Sequence, residues 1–153
     1  MYGRRVEDID RSIVAALTVD GRLSYTDLAE KVGLSVSAVH QRVRRLEQRG
    51  VIRGYAAQVD FASLDLPLTA FVAIRPLDPS QPDDAPERLS ALAEIESCYS
   101  VAGEDHYLLL VRVGTPTALE RLLQEIRGAA NVTTRTTVVL STPYEGRSPK
   151  VNR

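Results

Sequence analysis

The 153-residue chain is 44% hydrophobic and 25% charged, a globular composition that fits one ordinary domain or two small ones. No apolar run reaches the roughly 18–20 residues that a bilayer requires. Met1-Tyr2-Gly3-Arg4-Arg5 runs into acids and not into an apolar stretch, and the lone Cys98 excludes an intrachain disulfide. A cytoplasmic location with no membrane partner is the expectation. The net charge of −1 hides an uneven distribution. Residues 1–60 hold ten basic and eight acidic side chains, a net of +2, and the remainder hold nine and twelve, a net of −3. Arg42, Arg44, Arg45, Arg49 and Arg53 face one acid, Glu47, in that stretch. A basic patch on a near-neutral chain suits a nucleic-acid-binding module joined to something else.

The first predicted helix covers residues 7–19, with Ile9, Ile13, Ala16 and Leu17 as its apolar stripe and Asp20-Gly21 as its stop. Ser24 caps a second helix, and Asp27 stands where an acid completes a capping box. Leu28, Ala29 and Val32 give its buried face, and Gly33 ends it after barely two turns. Leu34 inserts into the turn, and Ser35 caps a third helix over 36–49. Val39, Val43 and Leu46 point one way; at about 100° per residue, Ser37, Gln41 and Arg44 point the other, flanked by Ala38, His40 and Arg45. Val51–Val59 has strand character broken by Gly54, a short wing or linker strand, and 64–67 is read as the boundary.

The second half changes rhythm. Strands are predicted over 68–76, 95–102, 106–113 and 132–140, with helices over 87–95 and from Thr115-Pro116 to about Arg127, where Gly128 stops the chain. Leu89, Leu92 and Ala93 mark the inner face of the first helix, and Leu119, Leu122, Leu123 and Ile126 that of the second. Residues 141–153 have little to bury and read as a mobile tail or a segment ordered in an assembly. The order β-α-β-β-α-β is the ferredoxin-like pattern, with helices on one side of an antiparallel sheet. Tyr107, Leu109 and Val111 alternate with Leu108 and Leu110, so both faces are apolar. A second subunit is expected on the uncovered face, with Leu109 and Val111 assigned to that interface.

Two short helices joined by Gly33-Leu34-Ser35 match a helix-turn-helix, whose second helix enters the major groove of double-stranded DNA. Ser35 opens that helix. Ser37 and Gln41 have base-reading chemistry, Val36 and Ala38 suit a thymine methyl, and His40 flanks them. Arg44, Arg45 and, from the wing, Arg53 suit phosphate.

These motifs resemble the Lrp/AsnC family, the feast/famine regulators. Three stretches carry the resemblance: Asp8-Ile9-Asp10-Arg11 with residues 20–55, then Ser100 to Leu109, then Thr134 to Leu140. The resemblance implies an α+β chain. A winged-type helix-turn-helix (1–55) leads through a linker (56–67) to a ferredoxin-like, RAM-type βαββαβ domain (68–141) and a tail (142–153). It implies self-association to dimers and octamers, and a small effector, an amino acid, between subunits. By carry-over the effector would meet Gly103, Glu104, Asp105 and His106, with Tyr99, Ser100, Thr134 and Thr136 as neighbours. Many relatives carry an aspartate where this chain has His106, an acid that commonly helps hold the ligand's amino group. The alternatives are an effector-independent architectural DNA-binding protein and a small-molecule-binding ferredoxin-like module.

No metal, phosphate-loop or nucleophile-elbow pattern is present, so neither a cofactor nor catalysis is expected. In a hairpin centred on 103–105, His106 would lie opposite Ala102 and Cys98 opposite Leu110, too far apart for a nucleophile–base pair.

Overall fold

Acids in the first turn of a helix favour its start, and Asp8 and Asp10 stand there in α1 (Asp8–Val19) of the computed structural model, which describes residues 7–148. α2 (Tyr25–Val32) and α3 (Val36–Gln48) follow. The expected stripe of α1 is corrected at one turn: Ile13 is fully buried, but Ile9 is exposed and Asp10 is buried in its place. The cause is a cation. Arg42 of α3 donates to Asp10 Oδ1 at 2.8 Å and to Glu7 Oε2 at 2.9 Å, and a carboxylate enters an apolar interior when it is so paired. Ile13, Leu28, Ala29, Val39, Val43 and Leu46 form the core, with Leu34 and Ile52 packed against it.

The Ser24 hydroxyl accepts from the Asp27 N–H at 3.0 Å, and Gly33 leaves α2 in the left-handed conformation, at φ +70°. Gly50, at φ +68°, turns the chain out of α3. The strand expected over 51–59 is absent: among the described residues nothing runs alongside it to complete a ladder. That segment docks through side chains instead. Ile52 reaches the core, and the Tyr55 hydroxyl donates to Glu47 at 3.0 Å.

The chain divides into two units. The first runs to Gln58 and takes in the segment from Tyr144; the second is Val59–Pro143. The division falls inside the linker expected over 56–67, but ahead of the boundary expected at 64–67. The expected tail is partly docked, since the Ser148 hydroxyl donates to the Thr18 carbonyl at 2.8 Å. Residues 1–6 and 149–153 lie outside the described residues, and with them the outer ends of the predicted 1–55 and 142–153 segments.

In the second unit a single 3-10 turn, η1 (Phe61–Leu64), precedes β1 (Leu68–Pro76). Then come α4 (Ala85–Leu89), β2 (Ile95–Ser100), β3 (Tyr107–Val113), α5 (Pro116–Ala130) and β4 (Val132–Val138). The antiparallel sheet has the order β2-β3-β1-β4. Ala70, Val72, Ile74, Leu109, Val111, Val113 and Val132 share a core with Leu89, Leu119, Leu122 and Ile126 of the helices.

Four expectations change here. The helix expected over 87–95 is the five-residue α4; it starts earlier because Pro86 is tolerated in a first turn, and Ala93 is exposed. α5 runs through Gly128 to Ala130, where Asn131 takes the left-handed cap at φ +53°. The β2–β3 register is shifted by one residue: Cys98 pairs with Leu109, not Leu110, and the Val101 N–H donates to the His106 carbonyl at 3.1 Å, leaving Ala102 in the turn. Leu109 and Val111 belong to the helix-covered core, so the uncovered face carries Leu108 and Leu110. Phe71 shares that face through its pairing with Leu110, and Ala73 and Tyr99 share it through theirs with Leu108.

Candidate functional site

In the first unit the Ser35 hydroxyl caps α3 by accepting from the Ala38 N–H at 3.2 Å, and it lies 3.4 Å from the Ser37 hydroxyl. The inward row Val39–Val43–Leu46 fixes the helix's rotation, which leaves Ser35, Val36, Ser37, His40, Gln41, Arg44 and Arg45 exposed and Ala38 half-buried. Arg53 is exposed on the segment after α3. The structure thus brings the residues expected to face DNA together on α3 and its cap, Arg53 excepted.

Arg42 is a different kind of arginine. Its hydrogen bond to Asp10, then that to Glu7, pushes its pKa above the ordinary value, and it serves the core and not the outer patch. Tyr55 is pushed up to about 12, by burial first and then by its bond to Glu47. Its hydroxyl holds that acid against the segment after α3. Neither role was legible in the sequence, since each joins residues from separate elements. A further missed contact is Tyr25 of α2, whose ring meets that of His40.

In the second unit the turn Ala102–Asp105 closes the β2–β3 hairpin, and the His106 N–H, just past it, donates to the Ile74 carbonyl at 2.9 Å. Asp105 is ion-paired with Arg135 of β4, while Glu104 is exposed. The His106 Nδ1 stands 3.9 Å from Asp83 Oδ1. Burial, then a bond to Asp83, pushes the Tyr107 hydroxyl above its ordinary pKa. The register separates the remaining candidates. Tyr99 and Arg135 sit on the uncovered face, paired through Leu108 and Ala73. Ser100, Thr134 and Thr136 pair in rows with Tyr107, Ile74 and Val72 on the helix-covered face, where Thr134 accepts from Arg127 at 2.9 Å. Arg135 was overlooked between two threonines; the alternation of a strand was the signal that could have found it.

Burial and the nearby Glu87 push the Cys98 thiol up, the reverse of what a nucleophile needs. Among the described residues no three His, Cys, Asp or Glu side chains gather as a metal site, and no helix is long and apolar enough to cross a membrane.

A family model for winged helix-turn-helix DNA-binding matches residues 6–53, and one for the Lrp/AsnC ligand binding domain matches residues 69–149. The chain belongs to the Lrp/AsnC family. The HTH-type transcriptional regulator LrpA of Mycobacterium tuberculosis is 58% identical over 142 residues, which cover 93% of this chain and 95% of that protein. The structure of the feast or famine regulatory protein of M. tuberculosis complexed with L-methionine superposes with a TM-score of 0.93 at 57% identity, covering 95% of this chain and 99% of that one. A transcriptional regulator of Neisseria meningitidis, in complex with L-methionine, gives 0.85 at 27% identity over 97% and 98% of the two chains. As an Lrp/AsnC protein the chain is a sequence-specific DNA-binding transcriptional regulator and not an enzyme. Its helix-turn-helix and ferredoxin-like units are the two halves of that architecture.

Proposed function

We propose that this regulator acts in the cytoplasm on genes of amino-acid metabolism, as an oligomer built on dimers and extending to octamers, with its DNA affinity set by a bound amino acid. The carrying observation is the outer face of α3, free of the core and fixed in rotation by it. Ser37 and Gln41 read base edges, Val36, Ala38 and His40 lie beside them, and Ser35 holds the helix start close to the backbone. Arg44, Arg45 and Arg53 neutralise phosphates. A second copy covers the Phe71–Ala73–Leu108–Leu110 face, since two helices protect the other face alone.

L-Methionine is the first effector to test, because two structural relatives hold it. It would bind at the uncovered end of the sheet, near Tyr99, Gly103, Glu104, Asp105 and His106, with Ser100, Thr134 and Thr136 shaping the strands behind. Arg135 is added to that set as a partner for the ligand carboxylate. Glu104 is the acid there for an ammonium group, because Asp105 is engaged with Arg135. That engagement favours one second reading, a regulator indifferent to amino acids.

A mobility shift on DNA from around the protein's own gene, with and without each of the twenty amino acids, decides between them. The expected result is a specific complex that L-methionine alters, with a salt slope that Arg44→Ala lowers by about one unit. A specific complex indifferent to all twenty selects the architectural reading. An unchanged slope removes Arg44 from the phosphate contacts.

A further inference from the structure

His40 stands at the border of the recognition face. On a helix of about 100° per residue it lies midway between the buried direction of Val39 and Val43 and the outward direction of Gln41. Its side chain is exposed, and an exposed imidazole alone would sample several rotamers. Here it does not stand alone. The Tyr25 and His40 ring centroids are 5.0 Å apart with their planes at 80°, the edge-to-face arrangement that aromatic pairs prefer.

Tyr25 is itself well anchored. It is the first residue of α2, directly after the Ser24 cap, whose hydroxyl bonds both the Asp27 N–H at 3.0 Å and Asp27 Oδ2 at 2.6 Å. Leu28 and Ala29 of the next turn are sunk in the core. Yet the tyrosine is 41% exposed, so filling the core does not account for a large ring at this site. Among the described residues its ring pairs with one other ring, the imidazole of the recognition helix, and its phenol is close enough to Tyr55 to help raise that group's pKa.

We propose that Tyr25 is a positioning residue for DNA specificity. It holds the His40 imidazole in one orientation beside Gln41, so that a ring N–H donates to a purine acceptor, N7 or O6, in the major groove. The proposal rests on the reading of α3 as the recognition helix. It adds one base position to each half-site and places its determinant on the neighbouring helix, outside the groove-reading face.

Site selection from a randomised duplex, run on the full chain, tests it with Tyr25→Phe, Tyr25→Leu, His40→Ala, the Tyr25→Leu/His40→Ala double variant and Gln41→Ala. The wild type and Tyr25→Phe are expected to share a purine preference at one position per half-site. Tyr25→Leu, which keeps the bulk, and His40→Ala should each lower that preference roughly tenfold, with the double variant no worse than either single one, because all three remove one coupled contact. The salt slope and the preference at the Gln41 position should not change, which a general loss of folding would not allow. The proposal alone is overturned by a wild-type profile for Tyr25→Leu while Gln41→Ala alters its own position, or by additive losses in the double variant. A loss in Tyr25→Phe equal to that in Tyr25→Leu also overturns it and assigns the role to the hydroxyl. A profile unchanged by both Tyr25→Leu and Gln41→Ala overturns the recognition-helix reading itself.

Discussion

The two units solve opposite surface problems. The first closes its core with three helices and leaves polar and basic side chains outward, so each of the proposed DNA-facing groups stands on a surface complete in one protomer. The second covers one sheet face with α4 and α5 and leaves the other with Phe71 at 37% exposure and Tyr99 at 50%. On the proposed reading, a second copy completes that face. The difference locates two kinds of information in the chain. The proposed contacts to DNA are named residue by residue from one protomer, while the proposed effector site and assembly call for a second copy.

The largest effect tests whether the first unit is finished on its own. Arg42→Ala strands Asp10, whose side chain is 8% exposed, without its cation. Removing one partner of a buried pair costs roughly 3 kcal/mol, since the remaining charge stays desolvated. Calorimetry should show one transition moved down, that of α1–α3, and the other in place. A joint shift of both transitions would mean that the units unfold together, and the contrast between them would fail. A shift under about 0.5 kcal/mol would remove the pair from the stability of the helical unit.

The same pair marks the limit of what the sequence made legible. Periodicity located the three helices, and the Ser24, Gly33, Ser35 and Gly50 signals set their ends within a residue or two, because caps and left-handed exits are local chemistry. Ile9 was placed inward on apolar spacing alone; the competing fact, an arginine 32 residues along that reaches Asp10, is tertiary. The β order was legible from alternation, and the hairpin register was not. A slip of one residue depends on how residues 101–106 fold, and it leaves the alternation of Leu108 and Leu109 intact while changing every partner. Helix 87–95 failed for a related reason: Leu89, Leu92 and Ala93 have helical spacing, but Leu92 reaches the core from a turn. At the DNA face nearly all proposed residues were legible, since one helix bears them. At the proposed effector end Arg135 and Asp83 were not, because β4 and the loop before α4 reach it from distant parts of the chain.

A smaller effect tests whether the second unit is unfinished. Phe71→Arg adds charge where the monomer already exposes the ring, so its own core should hold. Placed against a second sheet, the guanidinium would be desolvated without a partner, weakening association by about 2 kcal/mol, near thirtyfold. Sedimentation velocity is expected to show smaller species at the same loading. An unchanged oligomer would show that this face is not the one covered, and the contrast drawn above would then rest on the helices alone.

The smallest effect is one the two units share. Each holds a tyrosine hydroxyl above its ordinary pKa beside a carboxylate: Tyr55, at about 12, with Glu47, and Tyr107 with Asp83. A raised pKa in the fold means that folding favours the neutral phenol. The stabilisation is therefore complete below the unfolded value near 10 and is lost as pH climbs through the folded value, between about 10 and 12 for Tyr55. Solvent screening at the half-exposed Tyr55 keeps its share below about 1 kcal/mol. Tyr55→Phe should flatten the alkaline decline of the helical transition and leave the sheet transition unaltered, with Tyr107→Phe doing the converse. Phenolate absorbance during the titration assigns each step. If either variant flattened both declines, the carboxylate pairs would not be local, and the two units would be coupled through their charges even where their cores are separate.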